Sequence, residues 1–380
     1  MELPQNLTQK LTVREAENAL RILPKATALT DFNSNDYIGF SKSTDIFNAT
    51  HQYLVDHRFT QNGATGSRLI SGNHPLYQTT ENSIAQFHQS DAALLFNSGY
   101  DANVGFFSSV PQKGDLIVYD ELCHASIRDG ISLSNAKAYK FTHNDFEALE
   151  KLIQRNLGVT IYIVTESVFS MDGDTPNLEE LIAVSNKYNC FLVIDEAHAL
   201  GVFGDNGEGL IQMLNLQEYV FARIMTFGKG LGCHGAVVLG SSDLKSYLVN
   251  FARSFIYTTA LSPHSVATIL MAYQSLETEK ENIEKLRLNI IHFNQQKNLL
   301  GLKPLFVRSK SAIQSAIIPG NANVKKMARQ FQENGFDVKA ILSPTVPEGQ
   351  ERLRFCLHSY NAPGQIEEVL RLLSSFIFKK

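Results

Sequence analysis

Short apolar runs alternate with helical stretches through the middle of the chain, and this alternation limits the possible folds more than any other feature. The runs, several of them apolar at nearly every position, are Ala92–Phe96, Asp115–Asp120, Ala136–Phe141, Thr160–Glu166, Cys190–Asp195, Arg223–Phe227 and Ala236–Gly240. Strands that are covered on both faces have this composition. Between two of the runs, residues 177–189 carry apolar and small side chains at helical spacing, at Leu178, Leu181, Ile182 and Ser185. The alternation predicts an α/β fold built around a layered sheet.

The pattern changes after about Ser262. A long charged segment with Ile283, Leu286, Ile290 and Phe293 at helical spacing predicts an amphipathic connecting helix. The following segments predict a small α+β domain with strands at Ala312–Ile318, Phe336–Leu342 and Arg352–His358 and helices at Asn323–Asn334 and Gln365–Phe376. The first 45 or so residues predict one helix and an extended piece near Asn35, an arm that packs elsewhere. We therefore expect an arm at 1–45, a large domain at 46–265 and a small domain at 266–380.

Composition excludes several classes of protein. With 380 residues and 44% hydrophobic side chains, the chain can form large cores and is not disordered. A net charge of −4 without long basic runs argues against nucleic acid as the main partner. No apolar run is long enough for a membrane span, and the polar first ten residues lack a signal peptide. Four separated cysteines (Cys123, Cys190, Cys233 and Cys356) indicate reduced thiols rather than a disulfide framework or a metal site, so we expect a cytoplasmic protein without a metal.

Three familiar motifs are incomplete. Gly230–Gly235 satisfies GxGxxG, but a strand-like run follows it where a dinucleotide site needs a helix. Gly228 and Lys229 resemble the end of a P-loop, but Gly230 stands where Ser or Thr is required. Asp195-Glu-Ala-His198 matches the acidic motif of some helicases, but without a P-loop it cannot bind a nucleotide as it does in those proteins.

Polar residues at the ends of the predicted strands make better sense together. Lys229 lies in a glycine-rich turn and is a candidate Schiff-base nucleophile, whereas most lone lysines are surface residues. Asp195 and His198 follow one strand, although Asp195 could be an N-cap and His198 an ordinary histidine. Ser98-Gly-Tyr100 opens a helix whose N–H groups suit a phosphate or an ordinary cap, and His124 could stack on a ring or cap a helix. A phosphate site, a lysine, a carboxylate and a flat side chain together indicate pyridoxal phosphate.

From about Asn35 to His358 the chain resembles the α-oxoamine synthases, a family of pyridoxal-phosphate enzymes. The matching segments, in order, are Ser34-Asn-Asp-Tyr-Ile-Gly39, Gly66-Ser-Arg-Leu-Ile-Ser-Gly72, Asn97-Ser-Gly-Tyr-Asp-Ala-Asn103, His124-Ala-Ser-Ile-Arg-Asp-Gly130, Glu166-Ser-Val-Phe-Ser-Met-Asp-Gly-Asp174, Asp195-Glu-Ala-His-Ala-Leu-Gly201, Thr226-Phe-Gly-Lys-Gly-Leu-Gly232, Ile256-Tyr-Thr-Thr-Ala260 and Arg352-Leu-Arg354. The chain departs from the family pattern at Gly63-Ala-Thr-Gly66, which is less glycine-rich than usual, and at Thr80, where a leucine is common. The resemblance implies fold type I: a largely parallel seven-stranded sheet with helices on both faces, plus a small C-terminal α+β domain.

The resemblance also implies roles for individual residues. Lys229 binds the cofactor covalently and later acts as a base, Asp195 pairs with the pyridine nitrogen and His124 stacks on the ring. The other cofactor ligands are His198 and Ser170 at the phenolic oxygen, Gly99, Tyr100 and Thr226 at the phosphate, and Thr258 and Thr259, which reach the phosphate of a neighbouring subunit in a homodimer with shared sites. Arg354 binds the amino-acid carboxylate, and Arg21, Asn35 and Thr345 lie on the substrate side.

Within the family, the chain is most similar to the subgroup that condenses L-alanine with a pimeloyl thioester in biotin synthesis, releasing CO2 and the free thiol. Coenzyme A and an acyl carrier protein both stay open as the thioester carrier. Glycine C-acetyltransferase and serine palmitoyltransferase are the alternatives in the same family. An inactive regulatory member of the family and a helicase-like protein are the alternatives from other classes; Lys229, Asp195 and His198 argue against the first, and the incomplete P-loop against the second.

Overall fold

A computed structural model describes residues 3–23 and 28–378. Contacts within the chain divide it into a small unit (residues 1–34, 171–174 and 286–380) and a large unit (residues 35–170 and 175–285). Residues 1, 2 and 24–27 of the predicted arm, and residues 379 and 380 of the predicted small domain, lie outside the described part. The domain boundaries predicted at 45 and 265 stay predictions.

The seven apolar runs and the helices predicted at 177–189, 323–334 and 365–376 occur in the predicted order, and the structure adds elements that the sequence did not predict. The helices are α1 (Gln5–Ala16), α2 (Thr44–Asp56), α3 (Leu76–Phe87), α4 (Gly99–Ser109), α5 (Ala125–Ser132), α6 (Phe146–Gln154), α7 (Leu178–Lys187), α8 (Leu210–Met213), α9 (Ser242–Phe251), α10 (Arg253–Ile256), α11 (Pro263–Thr278), α12 (Lys280–Leu299), α13 (Asn321–Glu333) and α14 (Pro363–Phe378). The strands are β1 (Thr30–Phe32), β2 (Ala92–Phe96), β3 (Leu116–Asp120), β4 (Lys137–Phe141), β5 (Ile161–Glu166), β6 (Phe191–Asp195), β7 (Ala222–Thr226), β8 (Ala236–Gly240), β9 (Ile313–Ile317), β10 (Phe336–Ile341) and β11 (Arg352–Cys356).

The large unit is built on a seven-stranded sheet in the order β2-β8-β7-β6-β5-β3-β4. Strands β3 to β7 pair in parallel, and β8 runs antiparallel to both of its neighbours. Its strands are the seven apolar runs of the sequence, with bounds that agree within one residue. The predicted fold class is confirmed.

Both faces of this sheet are buried. Tyr162 and Val164 of β5 belong to one apolar core, with residues of α4, α5 and α9. Ile161 and Ile163, which alternate with them, belong to a second core with residues of α6, α7 and α8. Because successive side chains of a strand point to opposite faces, a sheet with two cores needs apolar side chains at almost every position. This explains why the runs lack a polar alternation.

The small unit contains a four-stranded sheet in the order β1-β10-β11-β9. Strands β9 to β11 are those predicted for the small domain, and α13 and α14 are its predicted helices. The prediction missed β1, which pairs in parallel with β10 from Thr30↔Phe336 to Phe32↔Val338. Three residues are too few for a periodic signal, so the sequence does not distinguish this strand from an extended arm.

A short piece of chain from the middle of the sequence belongs to the small unit. Residues 171–174 lie between β5 and α7, yet their carbonyls accept hydrogen bonds from the small unit. The hydroxyls of Ser309 and Ser311 donate to Gly173 O (2.8 and 2.9 Å), and the hydroxyl of Ser315 donates to Met171 O (2.6 Å). Gly173 has a φ of 74°, and a Cβ there would lie 2.2 Å from a carbonyl oxygen. A larger residue is therefore excluded at this position.

The stability of the small unit is expected to depend on the charge of Asp31 in acid. Burial raises the pKa of this carboxyl, but the charge of His358 and hydrogen bonds from Ser34 outweigh burial and lower the pKa to about 2. A lowered pKa stabilises the folded state above the ordinary value of 3.8, and this contribution disappears as pH falls towards 2. We expect Asp31→Asn to lower the free energy of unfolding at neutral pH by about 1 kcal/mol, because water screens part of the interaction.

Urea unfolding of wild type and Asp31→Asn between neutral pH and pH 2 measures this effect. The difference between them should shrink as the pH falls, whereas Glu348→Gln, which removes an exposed carboxylate, should show little difference at any pH. A difference that stays constant down to pH 2 contradicts the prediction.

No helix in residues 3–23 or 28–378 combines the length and the apolar composition needed to cross a lipid bilayer.

Candidate active site

Four neighbouring strands of the large sheet end in polar residues at the same edge. Asp120, Glu166, Asp195 and Thr226 are the last residues of β3, β5, β6 and β7. Because these strands are parallel, their carboxyl ends meet at one edge, where α/β proteins bind their ligands. Glu166 and Asp195 are direct partners in the register of β5 and β6. The three carboxylates are nearly inaccessible, at 0, 2 and 5% exposed.

The turn that carries Lys229 follows β7 and depends on glycine. A Cβ on Gly230 would lie 2.2 Å from the carbonyl oxygen of Leu200, and one on Gly232 would lie 2.1 Å from the amide nitrogen of Ser41. Gly232 also has a positive φ of 61°. The turn leads directly into β8, whereas a dinucleotide site would require a helix after the glycines. The glycines therefore allow close backbone packing that holds Lys229 at the sheet edge.

Lys229 begins a chain of hydrogen bonds through His198. The two residues lie 2.8 Å apart between Nζ and Nε2, and Nδ1 of His198 lies 2.6 Å from the hydroxyl of Tyr37. The Tyr37 hydroxyl donates to Oδ1 of Asn35 at 3.1 Å. These contacts connect Lys229 through His198 and Tyr37 to Asn35.

Asp195 is held in a fixed orientation by one donor on each oxygen. Oδ1 accepts from the backbone N–H of Ala197 at 2.9 Å, and Oδ2 accepts from Nδ2 of Asn103 at 2.8 Å. Asn103 is itself 2% exposed and lies on α4. A buried carboxylate needs hydrogen-bond donors, and these two supply one to each oxygen. Asp195 can therefore face a cationic ring nitrogen.

Asn103 connects Asp195 to His124. Its second amide hydrogen goes to Oγ of Ser126 (3.0 Å), and this hydroxyl lies 2.7 Å from Nδ1 of His124. The backbone N–H of Ser126 also points to that nitrogen at 3.2 Å, so His124 caps α5. Burial, followed by the charge of Lys229, lowers the pKa of His124. His124 is thus a neutral ring with its proton on Nε2, and it both caps the helix and faces the site.

The N-terminus of α4 forms the anion-binding end of the site. Ser98 caps the helix by accepting from Asp101 N–H at 3.0 Å, and the first intrahelical donor is Ala102 N–H. The preceding N–H groups of Gly99 and Tyr100 point out of the helix end, as suits a phosphate. A Cβ on Gly99 would lie 2.2 Å from Oγ1 of Thr226, so only glycine lets that hydroxyl reach the helix end.

Thr258 and Thr259 lie near the same end of β2. Nδ2 of Asn97 donates to Oγ1 of Thr258 at 3.0 Å and to the carbonyl of Thr259 at 2.7 Å. Thr259 and the preceding Tyr257 are exposed. Asn97 therefore fixes the surface loop that carries the two threonines.

Ser170 lies four residues beyond the end of β5 and is partly exposed. The remaining predicted residues belong to the small unit. Arg354 is a buried residue of β11, 6% exposed, opposite Ser315 in the register with β9. Arg21 and Thr345, 324 positions apart in sequence, lie together with 3.5 Å between Nη2 and Oγ1. The structure thus brings these two acyl-side candidates to one place.

Sequence reasoning did not assign roles to Tyr37, Asn103, Ser126 or Glu166. Each lies in one of the quoted segments, but none has a spacing that marks its partner. Only Glu166 carried a usable signal, since it ends an apolar strand as Asp195 does. Among the described residues, no three His, Cys, Asp or Glu side chains are grouped so as to hold a metal ion.

Comparisons with known proteins agree with this geometry. The model of the aminotransferase class I and II family matches residues 27–373. A relative named 8-amino-7-oxononanoate synthase, from Emericella nidulans, is 39% identical over 99% of this chain and 96% of that protein. A relative from Geobacillus kaustophilus, named a putative 8-amino-7-oxononanoate synthase, is 39% identical over 92% of this chain and 89% of that protein. The chain belongs to the class I and II aminotransferase family.

Solved structures place it among the α-oxoamine synthases of that family. Serine palmitoyltransferase from Sphingomonas wittichii is 27% identical and superimposes with a TM-score of 0.88, covering 99% of this chain and 98% of that one. The 8-amino-7-oxononanoate synthase of Francisella tularensis is 31% identical with a TM-score of 0.79, covering 92% and 98%. A serine palmitoyltransferase of S. paucimobilis, with a TM-score of 0.88, 26% identity and coverage of 98% and 96%, holds pyridoxal phosphate. The chain is a pyridoxal-phosphate enzyme.

The residues at the sheet edge fit that cofactor. The start of α4 at Gly99, with the Thr226 hydroxyl that only glycine admits beside it, suits a phosphate, and the two-donor carboxylate of Asp195 suits a pyridinium. Lys229 supplies the amine that an aldehyde requires.

Proposed function

We propose that the protein condenses L-alanine with a pimeloyl thioester to give 8-amino-7-oxononanoate, CO2 and a free thiol, as a step of biotin biosynthesis. Relatives named for that product are 31–39% identical over 92–99% of the chain, whereas the serine palmitoyltransferases are 26–27% identical. This difference in identity is the observation that carries the proposal. The hydrogen bonds that connect Lys229 through His198 and Tyr37 to Asn35 support an active enzyme rather than an inactive family member.

Lys229 is the group that holds the cofactor and moves the proton. Its Nζ lies 2.8 Å from Nε2 of His198, so the amine is held at the edge of the sheet where the cofactor would bind. When bound, pyridoxal phosphate supplies an electron sink for the charge that develops at Cα of the amino acid. Lys229, freed by the incoming amine, then removes the Cα proton and returns one after CO2 is lost.

The other residues bind and orient. Asp195 would pair with the ring nitrogen, His124 would stack on the ring, and His198 and Ser170 would bind the phenolic oxygen. Gly99, Tyr100 and Thr226 would hold the phosphate. Arg354, with five donors in a planar fork, would bind the alanine carboxylate, and Asn35, Arg21 and Thr345 would lie on the substrate side.

We further propose a cytoplasmic homodimer in which Thr258 and Thr259 of one subunit bind the phosphate of the other. The exposed loop around Tyr257, which is 72% exposed, supports this assignment. Sedimentation of the holoenzyme measures the oligomeric state. Mixing an inactive Lys229→Ala chain with an inactive Thr258→Ala/Thr259→Ala chain should restore part of the activity if sites are shared, and no restoration contradicts shared sites.

The function is tested by a panel of amino acids and thioesters. Purified holoenzyme receives alanine, glycine or serine, each with pimeloyl, acetyl or palmitoyl thioesters of coenzyme A, and pimeloyl thioester of an acyl carrier protein. We expect the alanine and pimeloyl pairs to give the highest kcat/KM. A preference for glycine with acetyl-CoA identifies a glycine C-acetyltransferase, and one for serine with palmitoyl-CoA a serine palmitoyltransferase; either result overturns the proposal.

Six solved chains of serine palmitoyltransferase superimpose with TM-scores of 0.87–0.88, so the serine and palmitoyl-CoA pair is the alternative that the panel must exclude most carefully. The two carriers for the pimeloyl group are distinguished by kcat/KM in the same panel.

A further inference from the structure

Glu166 is a second carboxyl group beside Asp195 that the proposed mechanism does not use. It is 2% exposed, ends β5 and is the register partner of Asp195 on β6. Side chains of register partners on neighbouring strands point to the same face of a sheet. Two carboxyl groups therefore share one buried position at the sheet edge.

Glu166 makes one contact that bears on the cofactor site. Its Oε1 accepts from the backbone N–H of His124 at 2.6 Å, a bond that joins the end of β5 to the start of α5. His124 is the side chain expected against the cofactor ring. The bond fixes the main chain at that residue, while Ser126 fixes the ring through Nδ1.

The charges around Glu166 do not favour a second anion. Asp195 on β6 and Asp120 on β3 face it with negative charge, and Lys229 in the turn after β7 is the cation that opposes them. Burial, followed by the charge of Asp195, raises the pKa of Glu166 to about 8. Burial and the neighbouring carboxylates also raise the pKa of the Cys123 thiol well above its usual range.

The two carboxyl groups differ in their donors. Asp195 receives one hydrogen bond on each oxygen, from Ala197 and Asn103. Glu166 receives the single backbone bond of His124 on Oε1, which leaves Oε2 to carry a proton. Where two buried carboxyl groups lie side by side, the one with fewer donors keeps the proton.

We propose that Glu166 is a positioning residue that enters the site as an uncharged carboxylic acid, so that Asp195 is the buried anion beside the cofactor's nitrogen while Glu166 holds the main chain of His124. The proposal deepens the proposed site, because it rests on Asp195 and His124 as cofactor residues. Once Glu166 ionises, a second negative charge lies next to Asp195. The electrostatic potential at the ring nitrogen and at Lys229 then becomes more negative.

The protonation state is measured on the apoenzyme by infrared spectroscopy. A protonated carboxylic acid has a carbonyl stretch that a carboxylate lacks. We expect this band in wild type at neutral pH, its loss in Glu166→Gln and its retention in the control Glu179→Gln, which changes an exposed glutamate of α7. Absence of a band that differs between wild type and Glu166→Gln overturns the proposal, whatever the substrate of the enzyme proves to be.

The positioning role is tested by cofactor affinity as a function of pH. Glutamine copies the shape of the neutral acid and can still accept from His124 N–H, so Glu166→Gln should bind pyridoxal phosphate within about threefold of wild type at neutral pH. Above about pH 8 wild type should lose affinity progressively, whereas Glu166→Gln should lose at least threefold less. Glu166→Ala, which removes the acceptor, should bind the cofactor more weakly at every pH.

A folded Glu166→Gln protein that binds the cofactor more than tenfold more weakly at neutral pH would show that the negative charge is needed and overturn the proposal. If the variant does not fold, 13C labelling of glutamate carboxyl groups in wild type and in Glu196→Gln gives the same answer. Burial raises the pKa of Glu196 as well, so the resonance of Glu166 is the one that Glu196→Gln retains and that titrates near pH 8 rather than near the ordinary value of 4.5. Titration of every glutamate near its ordinary value contradicts the proposal equally.

Discussion

Lys229→Ala is expected to lower the rate of condensation by about 10³-fold or more, because the same amine holds the cofactor and removes the proton. The variant should also lack the visible absorption band of the lysine-bound cofactor, and borohydride should no longer attach the cofactor covalently to the chain. Lys229 is partly exposed and lies in a turn, so its loss should leave the fold intact. Steady-state kinetics, absorption spectra and mass spectrometry after borohydride treatment measure the three effects.

Lys326→Ala is the matched control, since it removes an exposed lysine of α13. This variant should keep the absorption band, the borohydride product and the wild-type rate. A Lys229→Ala protein that condenses alanine at the wild-type rate contradicts the role assigned to this residue.

Asp195→Asn is expected to reduce kcat by about 10² to 10⁴-fold, because the ring nitrogen then loses the anion that favours its protonated form. The substitution also disturbs the hydrogen bonds. Asparagine has one acceptor oxygen, but both Ala197 N–H and Asn103 Nδ2 donate to this side chain. One donor is left facing an NH2 group, at a cost of about 1–3 kcal/mol in the free energy of unfolding.

Exchanging the two residues separates the effect of the charge on kcat from the effect of the hydrogen bonds on stability. Asp195→Asn/Asn103→Asp restores a carboxylate opposite an amide but moves the negative charge onto α4. We expect this double variant to recover only part of the stability in urea unfolding while kcat stays low. The Ser126 hydroxyl must then donate to the carboxylate at position 103 rather than to Nδ1 of His124. Recovery of kcat together with stability would mean that the position of the charge does not matter. Asp91→Asn, at an exposed site just before β2, controls for the loss of a charge elsewhere in the large unit.

Hydrophobic pattern alone predicts the strands of the large sheet, because all of them except the edge strand β4 are largely buried on both faces and bounded by helices or turns. Ala92–Phe96 and Ala236–Gly240 agree with the structure to the residue. The pattern does not contain the order of the strands, nor does it show that β8 runs antiparallel to its neighbours. That information depends on which faces of which strands meet in space.

The site is predictable where one residue type has a strong chemical preference at a strand end, as for Lys229 and Asp195. The contacts that orient these residues are not predictable in the same way. Asn103 and Asp195 are 92 positions apart, and Tyr37 and His198 are 161 apart, so no local period relates them. The proximity of Glu166 to Asp195 follows only from the register of β5 and β6.

Residues 171–174 bear on any attempt to divide the enzyme into pieces. The chain passes from one unit to the other at residues 34, 170, 174 and 285, so no single cut separates them. A fragment that stops at Lys285 would keep Gly173 but lose Ser309 and Ser311, whose hydroxyls its carbonyl accepts from. It would also lose Arg352, the partner of Asp172 in a buried ion pair. The loop at residues 171–174 is thus completed only by residues 309–352, so during synthesis on the ribosome it takes its final form only after β9 and β11 have been made.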